Sequence, residues 1–290
     1  MSLSSFDYHE TLGFCPDGKK SAFRSNLGME PNEVLARSGF ARMDLKQLKT
    51  RILRSLERAP RKSPMLSVIV PAHNEESYLG ATLDALNRQD YGNFEIVVVA
   101  NGCMDRTAEV AREKCSRLVT LDAKGLGVSR NLGGRLATGD LLVFLDADTI
   151  LEPHALRTIA EQFTRRDAGG TLKGQPDSNR FAYRVIYGLK NFMHRFVVRN
   201  GRSGVIICWK DQFDRIGGFK EHLELRENSD LIRRLKRFGG GYRYIGSTAA
   251  TTSMRRYDQL GVKHIVWLWI KLWFLSLFSD LSHRKYEPVR

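Results

Sequence analysis

Four short apolar runs, each followed by polar residues, stand out in the first half of the chain. They are rich in β-branched residues, as buried strands are, and lie at residues 66–71, 94–99, 117–121 and 141–146. Amphipathic stretches separate them, and in the first of these Leu79, Leu83 and Leu86 recur at helical spacing. Strands that alternate with helices predict an α/β fold whose sheet is mostly parallel and flanked by helices.

Different patterns flank this region. Residues 1–64 have the composition of a helical arm that ends in a basic linker between Pro60 and Pro64. Residues 265–278 are almost wholly apolar and include three tryptophans; as a helix they would span about 21 Å, short of the roughly 30 Å hydrocarbon core of a bilayer. They predict an apolar C-terminal helix that lies in a membrane interface. The alternative is packing on the N-terminal arm or on a second subunit, which would make the protein a homo-oligomer.

Polar clusters follow the four runs, at residues 72–76, 100–105, 122–125 and 146–148. Ligands of parallel sheets bind beyond the carboxyl ends of the strands, so these clusters are the candidates for a functional site. Asp146 and Asp148 are separated by one residue, and such a pair of hard oxygen ligands favours Mg²⁺ or Mn²⁺. The alternative is that Asp148 or Thr149 caps the next helix, and Asp105 has the same alternative. The chain has neither GxGxxG nor GxxxxGK[ST], which disfavours nicotinamide and P-loop chemistry.

Several ordered motifs together resemble a known family. The segments LSVIVPAHNEESYLGATLDALNRQDYGNFEIVVVANGCMDRTAEVA and KGLGVSRNLGGRLATGDLLVFLDADT are similar to the nucleotide-sugar half of family 2 glycosyltransferases with the Rossmann-like GT-A fold. The resemblance covers about residues 65–240 and includes IGGFKEHLELRENSDLIRRLKRFGG. It implies a hexosyltransferase-type enzyme that takes a sugar from a nucleotide-diphosphate sugar. The division that follows is an N-terminal extension and linker, a nucleotide-sugar half, an acceptor half and an apolar tail, at residues 1–64, 65–165, 166–258 and 259–290.

The resemblance also implies roles for individual residues. The residues expected to border the nucleoside or line the nucleotide pocket are Pro71, Ala72, Glu75, Asn101, Asp105, Lys124, Arg130 and Asp146. Asp146 and Asp148 would be the metal-diphosphate motif, with Mn²⁺ or Mg²⁺ as the ion. Asn101 departs from the family, which usually has DDGSTD where this chain has ANGCMD. A neutral amide both donates and accepts, as the edge of uracil requires, so a UDP-sugar is favoured and GDP-mannose is the other candidate donor.

The acceptor half raises the question of the catalytic base. Residues 216–219 resemble the loop under the acceptor, and most relatives then have Glu-Asp-x-Asp, with the first aspartate as base. Here that place is Asn228, which cannot take a proton, so Glu227 and Asp230 are the predicted bases. The alternative is that both acids only stabilise the start of a helix. A base would support in-line displacement with inversion, whereas a phosphate or carboxylate acceptor would need none.

The charge distribution indicates which partners the protein binds, and the cysteines and the N-terminus indicate where it is located. The net charge of +14 is uneven: residues 1–64 carry +5, residues 65–164 carry −5 and residues 165–290 carry +14. The surplus lies with the acceptor half and the tail, which favours a lipid-linked or otherwise anionic acceptor at a membrane surface. Nucleic acid is disfavoured because the basic residues form no RNP-type motif or recognition helix. The four scattered cysteines indicate neither disulfides nor zinc, and the polar N-terminus is unlike a signal peptide. A cytoplasmic protein is expected, peripheral on the cytosolic face of the membrane.

Two other functions remain open from the sequence. A catalytically impaired family member would bind the nucleotide sugar without turnover, as Asn101 and Asn228 together suggest. A basic nucleic-acid-binding protein is the less favoured of the two.

Overall fold

The computed structural model describes residues 63–122, 125–197, 204–223, 227–265 and 267. The predicted N-terminal arm, Lys124 and nearly all of the apolar tail lie outside these ranges.

Eight strands and eight α-helices make up the described part of the chain. The strands are β1 (Leu66–Ala72), β2 (Phe94–Asn101), β3 (Arg117–Leu121), β4 (Leu141–Leu145), β5 (Thr149–Leu151), β6 (Asp167–Pro176), β7 (Val205–Trp209) and β8 (Gly241–Thr252). The helices are α1 (Glu76–Asn87), α2 (Thr107–Arg112), α3 (Leu126–Leu136), α4 (Ala155–Gln162), α5 (Phe181–Phe192), α6 (Lys210–Arg215), α7 (Glu227–Leu235) and α8 (Arg255–Leu260). A π-helical turn, Met193–Val197, continues α5, and a 3-10 turn, Lys236–Phe238, continues α7.

The strands form one sheet in the order β3-β2-β1-β4-β7-β6-β8-β5. β1 to β4 are parallel to one another, as their apolar runs and intervening helices predict. In the second half, β6 and β8 are parallel, whereas β7 pairs antiparallel with β4 and β6, and β5 pairs antiparallel with β8. The predicted α/β sheet flanked by helices is confirmed, and it continues across the boundary predicted between residues 165 and 166.

The core lies on both faces of this sheet. Alternate residues of the fully buried β1 point to opposite faces, so Val68 and Val70 pack on one side and Ile69 on the other. On the first side the predicted stripe Leu79, Leu83 and Leu86 is completely buried. The second side receives Phe213 of α6 and Phe219 of the loop that follows α6. Helices on both faces bury β1 completely.

Three local features bear on the packing of individual residues. Helix α2 ends at Arg112, so Cys115 lies in the turn between this helix and β3. The 3-10 turn after α7 rotates Phe238 outward, where it is 45% exposed, and Gly239 then ends the turn at φ +80°. Trp209 is buried and donates its indole N–H to the Thr164 carbonyl, so it serves the core.

The described residues contain neither a disulfide nor a membrane-spanning helix. The cysteines within them are free thiols, and none forms a disulfide. No helix within the described ranges combines the length and the apolar character needed to cross a bilayer.

Candidate active site

The site lies where β1, β2 and β4 end. β1 pairs with β2 as far as Ala72, but with β4 only as far as Ile69. The two central strands therefore separate at their carboxyl ends, and polar residues from the following loops enter the space between them. Pro71, which has no N–H to donate, lies in the part of β1 that no longer pairs with β4. The nucleoside contacts predicted for Pro71 and Ala72 stay a prediction.

Arg130 links the two sides of this space. Its side chain is only 5% exposed, and its Nη2 lies 3.2 Å from Asp146 Oδ1. Its Nη1 lies 3.2 Å from Glu227 Oε1 and 2.9 Å from Asn228 Oδ1. The ring of Phe219 covers the guanidinium at 5.2 Å. One buried arginine thus joins the predicted metal motif to the predicted base region.

Close packing of α3 fixes the position of Arg130. A Cβ at Gly133 would come within 2.4 Å of Ile69, so the helix needs glycine where it crosses β1. Asn131, next to Arg130, clamps the loop that bears Phe219: it accepts the Phe219 N–H at 2.7 Å and donates to the Phe219 carbonyl at 2.9 Å. Both β1 and the loop that bears Phe219 are therefore anchored to the same helix.

Asp146 and Asp148 lie between β4 and β5. Helix α4 begins only at Ala155, after β5, so neither Asp148 nor Thr149 caps it and the capping alternative is wrong. Burial raises the pKa of Asp148 to about 7; the charge of Asp146 adds to this effect and Arg255 opposes it. Partial loss of hydration also raises the pKa of Asp146, against the effect of Arg130. Both carboxylates are therefore incompletely compensated.

Arg255 is a site residue that the sequence reasoning missed. Its Nη2 lies 2.6 Å from Glu75 Oε1 and 3.4 Å from Asp148 Oδ2, and its guanidinium packs over the Tyr78 ring at 4.3 Å. The available signal was its position: it follows the last strand, where the same argument that selected Asp148 applies. Arg255 thereby closes the opposite end of the site from Arg130.

The charges of this cluster fit a divalent cation. Four carboxylates meet two guanidinium groups here, and these residues are Glu75, Asp146, Asp148 and Glu227 with Arg130 and Arg255. Glu75 Oε2 is buried without a hydrogen-bond partner in the described part of the chain. Nowhere in the described ranges do three or more His, Cys, Asp or Glu side chains form a metal cage. Asp146 and Asp148 fit an ion that completes its shell with substrate phosphates, which is how Mg²⁺ commonly binds.

Asn101 makes structural hydrogen bonds at the end of β2. Its side chain is buried, its amide donates to the Ala72 carbonyl at 2.9 Å, and its oxygen accepts the Gly125 N–H at 3.3 Å. The residue thereby holds the end of β1 and the start of α3 in place. Direct contact with a base, which the sequence favours, stays a prediction.

Asp105 supports the starts of two helices. Its carboxylate accepts the N–H of Thr107 at 3.0 Å and the N–H of Glu76 at 3.1 Å, the first residues of α2 and α1. Burial alone would raise the pKa of Asp105, but these bonds together hold it below its ordinary value. The N-cap residue of α2 is Arg106, so Asp105 supports the helix from one position earlier than the capping alternative assumed. A nucleotide contact stays a prediction.

The two predicted bases have different surroundings. Glu227 reaches the site through Arg130 and is 13% exposed. Asp230 is 6% exposed and points elsewhere: Arg233 lies 2.9 Å from one of its oxygens and Arg234 lies 2.7 Å from the other. Burial would raise the pKa of Asp230, but the bonds from the two arginines lower it overall. The structure thus brings Glu227, but not Asp230, into contact with the central arginine.

The sequence pattern of Glycosyl transferase family 2 matches residues 67–220, more than half of the chain. The chain belongs to this family. Membership in family 2 confirms the predicted family and, with it, the enzyme class of transferase.

Individual relatives match only parts of their own length. The 4,4'-diaponeurosporenoate glycosyltransferase of Staphylococcus haemolyticus is 37% identical over 130 residues, which are 42% of this chain and 33% of that protein. An uncharacterized glycosyltransferase of Haemophilus influenzae is 28% identical over 183 residues, 59% of this chain and 62% of that protein. The chain thus spans about a third of the first relative.

Solved structures support the fold. Mannosyltransferase PcManGT from Pyrobaculum calidifontis, in complex with GDP-Man and Mn²⁺, has a TM-score of 0.56 at 19% identity, over 70% of this chain and 63% of that one. S. aureus TarS 1–349 in complex with UDP has a TM-score of 0.52 at 21% identity, over 65% and 60%. The predicted GT-A fold is confirmed.

The contacts of Asn228 explain why an asparagine suits this position, where most members of family 2 have an aspartate. The residue accepts a hydrogen bond from Arg130 through Oδ1, at the same nitrogen that contacts Glu227. An aspartate there would add a further negative charge to a cluster that already has more carboxylates than guanidinium groups. The amide keeps the hydrogen bond and omits the charge.

Proposed function

We propose that this chain transfers a sugar from a nucleotide-diphosphate sugar to a lipid-linked or otherwise anionic acceptor, with Mn²⁺ or Mg²⁺. The observation that carries the proposal is the Arg130 bridge between Asp146 and Glu227. It joins the candidate diphosphate site to the candidate acceptor site through one buried side chain. A UDP-sugar is the favoured donor on the sequence argument for Asn101, and GDP-mannose is the alternative.

Different residues of the site would have different roles in such a transfer. Asp146 and Asp148 would hold the divalent ion, which when bound offsets the charge that develops on the departing diphosphate. Arg130 fixes Asp146 on one side and Glu227 on the other. Arg255 brings a second positive charge next to Asp148, where it can meet phosphate oxygens. Transfer to a hydroxyl would proceed with inversion, as the family resemblance implies.

Glu227 is the better candidate for a base. A base must reach the acceptor hydroxyl and have an oxygen free to take its proton. Asp230 does not meet the second condition, since each of its oxygens accepts a bond from an arginine. The paired contacts of Asp230 also reach the acceptor loop, because Arg234 donates to the Ile216 carbonyl at 2.9 Å. We therefore assign Asp230 to the support of that loop.

Glu227→Gln should lower transfer to a hydroxyl acceptor about 100-fold, because the amide keeps the bond from Arg130 but cannot take a proton. Donor binding should be unchanged. Asp230→Asn should lower stability and affect transfer per folded molecule far less. Transfer would be measured with decyl glycoside and decyl phosphate as acceptors, and only the first should depend on Glu227. A large loss of transfer in folded Asp230→Asn, with Glu227→Gln intact, would reverse the assignment.

The donor class is tested by thermal unfolding with a panel of UDP- and GDP-sugars. A donor at 100 times its Kd should stabilise by about 2.7 kcal/mol, roughly 5–10 °C for a chain of this size, with Mn²⁺ and much less with EDTA. Asp148→Ala should remove the stabilisation, whereas Asp211→Ala, an exposed carboxylate far from the cleft, should retain it. Failure of every sugar nucleotide to stabilise the protein would contradict the proposal. Stabilisation without turnover in any acceptor would favour a catalytically impaired family member.

The acceptor and location follow from charge. Residues 165–290, which are the acceptor half and tail with Arg165, carry a net charge of +14. This charge suits an anionic or lipid-linked acceptor and a peripheral position on the cytosolic face of a membrane. A phosphate acceptor would also explain why Asn228 is tolerated at the usual base position.

A further inference from the structure

Helix α5 and its π-helical continuation have two faces of different character. The inward face is buried through Tyr183 and Tyr187, which pack with Met254, Tyr257 and Ile265. The outward face carries a row of large apolar side chains, each between 52% and 81% exposed: Phe181, Val185, Leu189, Phe192 and Phe196. We call this row the α5 stripe.

The α5 stripe is a continuous surface. Its members follow one another at intervals of four, four, three and four residues, which places them along one side of a helix. The rings of Phe192 and Phe196 touch, with centroids 5.2 Å apart. Single exposed apolar side chains are ordinary on a protein surface, whereas a contiguous row marks an interaction site.

Basic residues accompany the stripe. Arg184 and Arg195 are exposed, and their helical positions lie immediately beside the apolar row. Between Asp177 and Asp211 the sequence contains seven Lys and Arg and no acidic residue. Apolar side chains flanked by arginine are the arrangement that suits an anionic bilayer, with the apolar row at the acyl boundary and the guanidinium groups among the headgroups.

The charge pattern disfavours a second copy of the chain as the occupant. A two-fold interface brings the same patch of both subunits together. Arg184 and Arg195 of each copy would then face one another, with no carboxylate in this segment to pair with them.

The stripe is close to the candidate active site. On the opposite face of α5, Tyr187 is hydrogen-bonded to Thr252, and the Thr252 hydroxyl lies 3.1 Å from that of Thr149, just after Asp148. One helix, about 10 Å across, therefore separates the outward stripe from the Asp146–Asp148 region. An acceptor headgroup at a membrane surface would be within short reach of the site.

We propose that the α5 stripe, with Arg184 and Arg195, docks the protein on an anionic lipid bilayer. The evidence for docking is the exposed apolar row and its two arginines, whereas the link to a lipid-carried acceptor rests on the proposed function. The α5 stripe would be a second membrane contact, besides the predicted apolar tail. This second contact lies on the side of α5 that faces away from the sheet.

Flotation of the full chain with vesicles tests the apolar row. Wild-type protein should float with vesicles of phosphatidylcholine and phosphatidylglycerol at physiological salt, and much less with pure phosphatidylcholine. Substituting serine at Phe181, Leu189 and Phe192 should lower the partition coefficient at least tenfold, because three exposed apolar contacts are lost. The matched control places serine at Phe238 and Leu260, which are exposed apolar residues elsewhere, and should float like the wild type.

A second pair of variants tests the charge. Arg184→Gln with Arg195→Gln should weaken binding to the anionic vesicles about tenfold or more, whereas Arg112→Gln with Arg215→Gln, of the same net charge, should not. All variants should keep thermal stabilisation by the sugar nucleotide, so a failure here is separate from a failure of the proposed function. Unchanged flotation of the serine variant would overturn the proposal. So would a wild-type dimer that does not float and that the serine variant converts to a monomer.

Discussion

Arg130→Met should abolish both donor stabilisation and transfer, and should lower the free energy of unfolding by about 3–5 kcal/mol. Removing one partner of a buried ion pair leaves the other charge without compensation, and this cost exceeds the value of the pair itself. Asp146 is 40% exposed and can recover some hydration, so most of the loss in stability should come from Glu227, which is 13% exposed, and from Asn228. The loss of activity should be at least about 100-fold, since both halves of the site lose their common anchor.

Two further variants make this result interpretable. Arg135→Met, in the same helix but exposed, is the matched control and should change stability by no more than about 0.5 kcal/mol. Arg130→Lys keeps the positive charge but cannot present two separate nitrogens to Asp146 and Glu227, so it should recover part of the stability and little of the activity. Urea unfolding and donor thermal shift measure the two effects. An Arg130→Met protein as stable as Arg135→Met would show that the bridge is not formed in solution.

The first half of the fold follows from sequence because its signals are local. The strands β1, β2 and β4 are apolar runs buried on both faces, and the stripe Leu79, Leu83 and Leu86 has an unambiguous helical period. Residues 117–121 also form the predicted strand, but β3 lies at the edge of the sheet and is only partly buried, so its predicted burial is wrong. Asp146 and Asp148 do lie at the carboxyl end of β4, as the argument from strand ends predicts, since parallel strands bring their carboxyl ends to one edge whatever their order in the sheet. Their role as metal ligands stays a prediction.

The second half could not be predicted in the same way because close packing replaces apolar runs there. The sequence of β6, DAGGTLKGQP, gives no strand signal. Its glycines are required by neighbours distant in sequence: a Cβ at Gly169 would lie 2.3 Å from the Ile232 side chain, and one at Gly170 would lie 2.8 Å from the Arg243 carbonyl. The position of Arg255 after a strand was a usable signal, but its pairing with Glu75 was not, since the two residues are 180 positions apart in the sequence.

The roles of Asn101 and Asp230 show a related limit. Residue type indicates what a side chain can do, and the bonds that it already makes decide what remains available. Asn101 has the donor and acceptor groups that uracil needs, but one N–H and one lone pair of its oxygen are already engaged with the backbone of Ala72 and Gly125. Asp230 has the carboxylate of a base, but Arg233 and Arg234 hold both of its oxygens.

Asp148→Asn should abolish transfer and yet make the metal-free protein more stable. Burial and the charge of Asp146 raise the pKa of Asp148 to about 7, against about 3.9 in an unfolded chain. A shift of about three units corresponds to about 4 kcal/mol, which the native state loses when this carboxylate ionises. Because the native pKa is the higher one, this cost is absent below about pH 4, grows as the pH rises and is complete above about pH 7. Asparagine avoids it at every pH.

The sign of this effect can be read from urea unfolding with EDTA at several pH values. Asp148→Asn should gain about 3 kcal/mol over the wild type at pH 8 and progressively less toward pH 5, while Asp211→Asn, an exposed carboxylate paired with Arg165, should follow the wild type. With Mn²⁺ and UDP at about 1,000 times its Kd the order should reverse, because binding then adds about 4.1 kcal/mol to the stability of the wild type alone. A wild type that is the more stable protein in EDTA at pH 8 would show that Arg255 alone neutralises Asp148, and the site would then have no excess charge for a divalent ion to offset.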